Sequence, residues 1–297
     1  MRARVFVLLF VSLIATDALR PISARVSIDD YDVKATESWR ATRAKDLQSS
    51  TGWLTVSGLF FLKPGANVVG SDPASDIALP PGGAPARVGI LTREPEKVWF
   101  EPAPGADVKI NNTLVPGKIE LARANRLTAG RVTFFLHESG DRLAVRVRDP
   151  ESPLLKTFSG LNWFPVRASW RIAGKFVPYN APKPVVVQNV LGDLERFVSP
   201  GEVTFNVNGT PVKLQPVRSG QRLWFIFADA SAGRETYRIR FLYADAPAAD
   251  GTVVLDFNRA YNPPCAYNPY TTCPRPPAEN FLKVRIEAGE KLYGTVR

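Results

Sequence analysis

Apolar and polar residues alternate at strand period over most of the chain. In residues 132–137 (VTFFLH), Val132, Phe134 and Leu136 alternate with Thr133, Phe135 and His137. Residues 142–148 (RLAVRVR) alternate strictly, so each run predicts a strand with one buried face. Further on, Asn208 and Gly209 separate two alternating runs. Both residue types tolerate the positive φ angles of a two-residue turn, so this pair predicts a β-hairpin.

Residues 27–48 are the exception, because their apolar positions have helical spacing. Ile28, Tyr31, Ala35 and Trp39 recur at intervals of three and four residues. Acidic residues near the start and basic residues near the end suit the helix dipole. We expect this helix to lie as a strap over the edge or face of a sheet.

Turn-forming residues are frequent, with 26 prolines and 21 glycines, which disfavours long helices. The pattern predicts a mainly β chain: an N-terminal helix followed by two antiparallel β-sandwich or open-barrel units. The predicted boundaries are a signal peptide (1–24), a helical strap (25–50), an N-terminal β unit (51–155) and a C-terminal β unit (156–297).

The first 24 residues have the pattern of a secretory signal peptide. Arg2 and Arg4 precede an apolar run at 5–15, and small residues follow at Ala18 and Ala24, where a peptidase could cut. The run is about half the ~20 residues that span a bilayer, although an uncleaved anchor helix is the alternative. We therefore expect an exported protein, periplasmic or extracellular, with no transmembrane helix after cleavage.

The formal net charge is +10. One interpretation is attraction to an anionic glycan, a cell-wall polymer or a lipid surface, and the other is biased composition with a need for solubility. Nucleic acid is not an expected partner, because no basic binding tract is visible.

The chain contains few residues of the types that hold metals or act as catalytic bases. Its only histidine, His137, and its two cysteines are too few for an ordinary zinc site, and no cofactor motif is visible. We therefore predict no metal and no cofactor. A serine–histidine–acid triad would need His137, which is better explained as a polar residue at a strand end.

The segment 256–280 (DFNRAYNPPCAYNPYTTCPRPPAEN) is rich in proline, which prevents a regular element there. Cys265 and Cys273 are the only cysteines, and an oxidising compartment would favour a disulfide between them. A redox-active pair is the alternative. The spacing and the lack of a helix N-terminus that could lower a thiol pKa argue against it.

Several stretches together resemble a known family. They are GWLTVSGLFFLKPG (52–65), GSDPASDIALP (70–80), FSGLNWFP (158–165), FADASAGRETYRIRFL (227–242), LDFNRAYNPPCAYNPYTTCPRPPAENFL (255–282) and AGEK (288–291). The chain resembles a bacterial and archaeal family catalogued only as a domain of unknown function, number sixteen eighty-four. The resemblance covers nearly all of the predicted mature chain, and it implies no activity because the family has none established.

The stretch 62–80 is also similar to the start of forkhead-associated domains, which are β-sandwiches. A phosphopeptide-binding member would have an arginine directly after the glycine, whereas Ser71 follows Gly70 here. The similarity therefore implies only a sandwich fold for residues 53–148, since a shared fold does not imply a shared function.

Two acidic residues bracket the proline-rich segment. If Asp256 and Glu279 lay about 5–10 Å apart, they could hydrolyse a glycosidic bond as acid and base or nucleophile. Asn258, Arg259 and Asn280 would then bind substrate hydroxyls. Two alternatives stay open: these side chains hold the loop backbone, or Asp256, Asn258 and Glu279 bind calcium.

Arginines supply a second candidate site. Arg146 and Arg148 share one strand face, as do Arg238 and Arg240, and neighbouring strands would make a basic stripe for phosphate or carboxylate. The alternative is a pair of solvated outer faces. We expect any site to lie where the 256–280 loop meets the loop at Asp229 and the strand end at Arg148.

Three functions are consistent with these patterns. The first is an exported non-enzymatic binding or envelope-associated protein. The second is a hydrolase of a glycan or similar polymer that uses the paired carboxylates. The third is an anion-binding module that uses the arginine stripe.

Overall fold

The computed structural model describes residues 31–294, so the predicted signal peptide lies outside the described residues. Helix α1 spans Val33–Gln48 and begins where the Asp32 side chain accepts a hydrogen bond from the Ala35 amide at 2.9 Å. No helix of the described part is long and apolar enough to cross a membrane.

The N-terminal half consists of short strands in two sheets. They are β1 (Val56–Phe61), β2 (Gly65–Gly70), β3 (Ile77–Ala78), β4 (Gly89–Arg93), β5 (Val98–Pro102), β6 (Val108–Ile110), β7 (Thr113–Leu114), β8 (Ile119–Glu120), β9 (Leu127–Ala129), β10 (Val132–Ser139) and β11 (Arg142–Arg148). The sheet orders are β1-β11-β10-β9-β6-β7 and β3-β2-β4-β5-β8. The sheets enclose one core, to which β11 contributes the fully buried Val145 and Val147.

The C-terminal half has longer strands. A short helix, α2 (Pro153–Thr157), precedes β12 (Arg171–Gln188), β13 (Leu194–Val207), β14 (Thr210–Leu214), β15 (Val217–Ser219), β16 (Arg222–Phe227), β17 (Arg240–Ala244) and β18 (Thr252–Asp256). They form sheets of order β14-β13-β12-β18 and β15-β16-β17. The predicted hairpin at Asn208 and Gly209 joins β13 to β14, and both residues have positive φ.

The prediction of a mainly β chain with one N-terminal helix and antiparallel sheets is confirmed. All named strand pairs are antiparallel except β2 with β3. The strands of the first two sheets all precede α2 in the sequence, and the strands of the other two sheets all follow it. The boundary near residue 155 between two separate units stays a prediction.

A bulge divides the β12–β13 hairpin into two parts, and each part packs against a different hydrophobic core. Pro178 pairs with Gly201, and the next pair is Lys183 with Ser199, so β12 has three more residues than β13 in this interval. Before the bulge, Phe176 packs against the core between the two C-terminal sheets. After it, the odd-numbered residues Val185 and Val187 cover the opposite face of the β15–β16–β17 sheet.

The segment 256–280 is irregular, as predicted, but the expected disulfide is absent. Cys265 and Cys273 are free thiols in the structure. Buried amide side chains hold the segment instead. Asn268 donates to the carbonyls of Trp53 and Val56 at 2.8 and 2.7 Å, and Asn280 donates to two other backbone carbonyls. These bonds fix the loop by satisfying its neighbours' backbone groups.

Candidate functional site

Asp256 lies beside the start of the N-terminal helix and caps a short turn. Its Oδ2 accepts a hydrogen bond from the Tyr31 hydroxyl at 2.8 Å, and its Oδ1 accepts from the Asn258 amide and side chain at 3.2 and 3.0 Å. Arg259 Nε lies 3.5 Å from Asp256 Oδ2. The structure therefore brings together Asp256, Asn258 and Arg259.

Glu279 belongs to a different surface. It lies exposed on a turn (278–280) that packs beside β14, and its neighbour Asn280 is fully buried. Asp256 and Glu279 share no hydrogen-bond or ion-pair partner among the described residues. The paired-carboxylate hydrolase stays a prediction, and no contact between the two acids supports it.

Asp229 and Arg240 form an ion pair in the interior. Arg240 Nη1 lies 2.7 Å from Asp229 Oδ2, and both side chains have no exposed surface. Asp229 Oδ1 accepts from the Ser231 amide and hydroxyl at 2.8 and 2.6 Å, while Arg240 also donates to the carbonyls of Ile286 and Ala288. Burial lowers the pKa of Arg240, and Asp229 opposes that shift.

The four-arginine stripe is therefore wrong. Strands β11 and β17 belong to different sheets. Arg240 points into the core because Asp229 provides a counter-ion there, whereas Arg238 is exposed. Only Arg146 and Arg148 of the predicted stripe remain on one surface.

A second buried charge lies beneath α1, and sequence reasoning missed it. Glu290 is 1% exposed and accepts hydrogen bonds from Arg43 Nε, the Asn262 amide and the Asn262 side chain, each at 3.1 Å. The Tyr267 hydroxyl donates to the same carboxylate. The Arg43 guanidinium also stacks 4.1 Å from the Tyr261 ring, so one glutamate ties the helix to the C-terminal half.

Arg146 and Arg148 project from β11 on the side opposite the N-terminal core. Arg146 is only 6% exposed, and its Nη2 lies 2.8 Å from His137 Nε2 and 3.4 Å from Thr272 Oγ1. Its guanidinium is 5.0 Å from the Trp53 ring. This face of the sheet is therefore covered by the C-terminal loop rather than by solvent.

A third arginine completes the cluster. Arg126 and Arg148 lie 4.1 and 5.6 Å from the same Phe135 ring. Among the described residues, none of Arg126, Arg146 and Arg148 forms an ion pair. Three guanidinium nitrogens, Arg146 Nε and Arg148 Nε and Nη1, are buried without a hydrogen-bond partner there. We call Arg126, Arg146 and Arg148 the arginine cluster.

The electrostatics of the cluster reflect this missing counter-charge. Burial, and then the charge of Arg148, lowers the pKa of Arg146 to about 10. Burial, and then the charge of Arg126, lowers the pKa of Arg148. The guanidinium groups of Arg146 and Arg148 therefore lie in an environment that disfavours their positive charge, and an anion would reverse that effect.

The C-terminal half is similar to a known protein family. Residues 156–291 match the family model described as "Protein of unknown function (DUF1684)". The DUF1684 segment thus includes Thr272 and Glu290, whereas the arginine cluster precedes it. The resemblance of residues 52–80 to that family stays a prediction.

Two solved structures are similar over part of the chain. One is the solution NMR structure of the uncharacterized protein from gene locus rrnAC0354 of Haloarcula marismortui. It is 27% identical, covers 46% of this chain and 78% of that chain, and has a TM-score of 0.39. The other comes from an analysis of phosphothreonine-dependent FHA domain interactions. It is 17% identical, covers 30% of this chain and 92% of that chain, and has a TM-score of 0.23.

Neither structural similarity bears on the function of this chain, because both TM-scores are below 0.5. Among curated proteins, none matches the chain significantly. Within residues 31–294, no group of three histidine, cysteine or acidic side chains could hold a metal ion. Function must therefore be argued from the arginine cluster and the DUF1684 segment that covers it.

We expect His137 to make stability depend on pH. Burial, and then the charge of Arg146, lowers the pKa of His137 to about 4, against about 6.5 in an unfolded chain. Between these values the unfolded state binds more protons than the folded state. The contribution of His137 is therefore complete above about pH 6.5 and falls as the pH is lowered towards 4.

Urea unfolding at about pH 7 and pH 4.5 tests this dependence in the untagged chain and in His137→Gln. His137 is the only histidine, so no other imidazole contributes. We expect the loss of stability between the two pH values to be smaller in His137→Gln. Equal losses in the two proteins would show that His137 titrates normally in the fold.

Proposed function

We propose that this chain is an exported binding protein whose ligand carries an oxyanion such as phosphate, sulfate or carboxylate. The arginine cluster binds that group. The observation that carries the proposal is the set of three buried guanidinium nitrogens without a partner within the described residues. Export is supported by the signal-like pattern of residues 1–24.

Without a ligand, the arginine cluster carries an energetic cost. A buried polar group without a partner costs about 1–3 kcal/mol, and more if it is charged. Arg146 and Arg148 carry this cost next to each other, with Arg126 adding a like charge. An oxyanion would accept the free N–H groups and neutralise the charge, and arginine binds such groups in bidentate geometry.

The three side chains differ in exposure, and this gradient gives the ligand a path from solvent to Arg146. Arg146 is buried at the base, Arg148 is half-buried and Arg126 is exposed at the rim. The rings of Trp53 and Phe135 stack on the guanidinium groups and hold them in place. The site is therefore ordered before the ligand arrives, which reduces the entropy lost on binding.

The arrangement favours binding over catalysis. No carboxylate hydrogen-bonds to Arg146 or His137 in the described residues, and the low pKa of His137 leaves the imidazole neutral at pH 7. His137 can then accept a hydrogen bond from Arg146, which orients the guanidinium towards the ligand. The full sequence has a net charge of +10, and removal of residues 1–24, which carry three arginines and one aspartate, leaves +8, so the exported protein also attracts anionic ligands over a long range at low salt.

Thermal unfolding and calorimetric titration with sodium phosphate and sodium sulfate, at constant ionic strength, test the proposal. We expect both anions to stabilise the chain more than chloride, by about 2.7 kcal/mol at a concentration 100 times Kd. Arg148→Met removes two of the unpartnered nitrogens, and we expect it to abolish this gain. Arg218→Met is the matched control, because Arg218 is exposed and outside the cluster.

Two results would contradict the proposal. One is a chain that phosphate, sulfate and acetate stabilise no more than chloride does. The other is equal loss of the effect in Arg148→Met and Arg218→Met, which would indicate general screening of surface charge. If the anion contacts the arginine cluster directly, its affinity for the chain must also fall as the ionic strength rises.

A further inference from the structure

Cys273 lies in an unusual environment for a buried cysteine. Its Sγ accepts a hydrogen bond from the Cys265 amide at 3.2 Å and lies 3.8 Å from Thr271 Oγ1. The next hydroxyl along the chain, Thr272 Oγ1, lies 3.4 Å from Arg146 Nη2. A backbone N–H and a hydroxyl therefore lie beside a sulfur atom whose residue is only 5% exposed, and Arg146 approaches the neighbouring residue, Thr272.

The two thiols differ in their ability to ionise. The hydrogen bond from the Cys265 thiol, with that from the Cys265 amide, lowers the pKa of Cys273, and Arg146 contributes in the same direction. The same contact, together with burial, raises the pKa of Cys265. The hydrogen bond from the Cys265 amide therefore favours the thiolate at Cys273 over a thiolate at Cys265, although no helix N-terminus is involved.

We propose that Cys273 and Cys265 form a redox-active pair whose substrate is a small hydroperoxide, with Cys273 as the attacking sulfur and Cys265 as the resolving sulfur. The proposal does not require anion binding by the arginine cluster, although Arg146 lies near both sites. It rests on the contact between the two cysteines and on the amide and hydroxyl beside Cys273 Sγ.

The reaction has two oxidative steps. The Cys273 thiolate attacks one peroxide oxygen, the O–O bond breaks, and the leaving hydroxide takes a proton from solvent to form water. Cys273 is then a sulfenic acid. The Cys265 thiol attacks that sulfur, an S–S bond forms, and a second water leaves with the Cys265 proton. An external dithiol restores both thiols by exchange and is itself oxidised to a disulfide.

Burial determines the size of the substrate. Cys273 is buried and Cys265 is half-buried, so a protein disulfide or a bulky aromatic disulfide cannot reach the attacking sulfur directly. A hydroperoxide of a few atoms can. Regeneration begins at the more accessible Cys265 sulfur, which an external thiolate can attack.

The pair is not required to hold the loop together. Asn268 and Asn280 already bind the loop to the sheets through buried hydrogen bonds. The bond between the cysteines can therefore open and close without loss of the fold. This distinguishes a redox-active pair from a purely structural disulfide.

The test uses the reduced full-length mature chain, Cys265→Ser and Cys273→Ser, each treated with one equivalent of hydrogen peroxide at about pH 7. Dimedone traps sulfenic acid, and mass spectrometry locates the adduct. We expect wild type to lose both thiols and form an internal disulfide, Cys265→Ser to give a dimedone adduct at Cys273, and Cys273→Ser to give at least tenfold less adduct. Circular dichroism checks that each variant is folded.

Peptide mapping of wild type alone also tests the pair if a variant fails to fold, because the internal disulfide and its reopening by dithiothreitol are measured there. Equal adduct yields at Cys265 and Cys273 would overturn the assigned roles. Two thiols that survive peroxide treatment, or a disulfide that dithiothreitol cannot reduce without denaturant, would overturn the redox proposal. The phosphate titration is measured on the reduced wild-type chain without peroxide, so the two proposals fail separately.

Discussion

Replacing Arg240 with methionine will destabilise the chain by about 3–5 kcal/mol, the usual effect of removing one partner of a buried ion pair. Asp229 would keep its hydrogen bonds from Ser231 but lose its counter-ion in a site with no exposed surface. Two backbone carbonyls, at Ile286 and Ala288, would lose their donors as well. Urea unfolding followed by tryptophan fluorescence measures the change.

Arg238→Met is the control for this substitution. It removes the same charge two residues earlier, from an exposed side chain, and we expect it to alter stability by less than about 0.5 kcal/mol. The double variant Asp229→Asn, Arg240→Met should recover part of the loss, because it leaves no unpaired charge in the core. Equal effects of the two arginine variants would mean that the interior pair does not form.

Glu290→Gln is expected to cost about 3 kcal/mol or more, because it leaves Arg43 buried without a carboxylate. The substitution keeps the shape of the side chain, so the effect reports charge and hydrogen bonding rather than a cavity. Since Arg43 lies on α1, we also expect the helix to detach more readily. Limited trypsin digestion at Arg40 and Arg43 should then become at least tenfold faster.

Glu287→Gln provides the matched control for Glu290→Gln. Glu287 is half-buried, its side chain is 45% exposed and pairs with Arg285, and such surface pairs contribute about 0–1 kcal/mol. We expect this variant to unfold and to be digested like wild type. Faster digestion without loss of global stability in Glu290→Gln would show that Glu290 holds only the helix.

Features set by local pattern could be predicted from the sequence. The alternation in residues 142–148, the positive-φ pair Asn208 and Gly209, and the helical spacing before residue 48 each depend on neighbours in the chain. The irregular loop followed from its prolines. These predictions succeed because one strand, turn or helix contains all the relevant interactions.

Features set by distant partners could not be predicted in this way. Alternation placed Arg240 and Arg146 on polar strand faces, and both are buried because other parts of the chain cover those faces. Glu290 lies 247 residues from Arg43, and no local pattern connects them. The cysteines were assigned a structural disulfide because nothing nearby in sequence revealed that asparagine side chains hold the loop.

The bulge in the β12–β13 hairpin limits how the number of residues there can change during the evolution of this chain. Side chains change face with every residue added to a strand, so inserting or deleting one residue between Pro178 and Lys183 would exchange the two faces of the outer hairpin. Val185 and Val187 would then turn to solvent, and Val186, which is 53% exposed, would turn inward. An insertion or deletion of two residues in that interval keeps each side chain on its own face and is therefore tolerated. Homologues that keep this core should differ there by even numbers of residues.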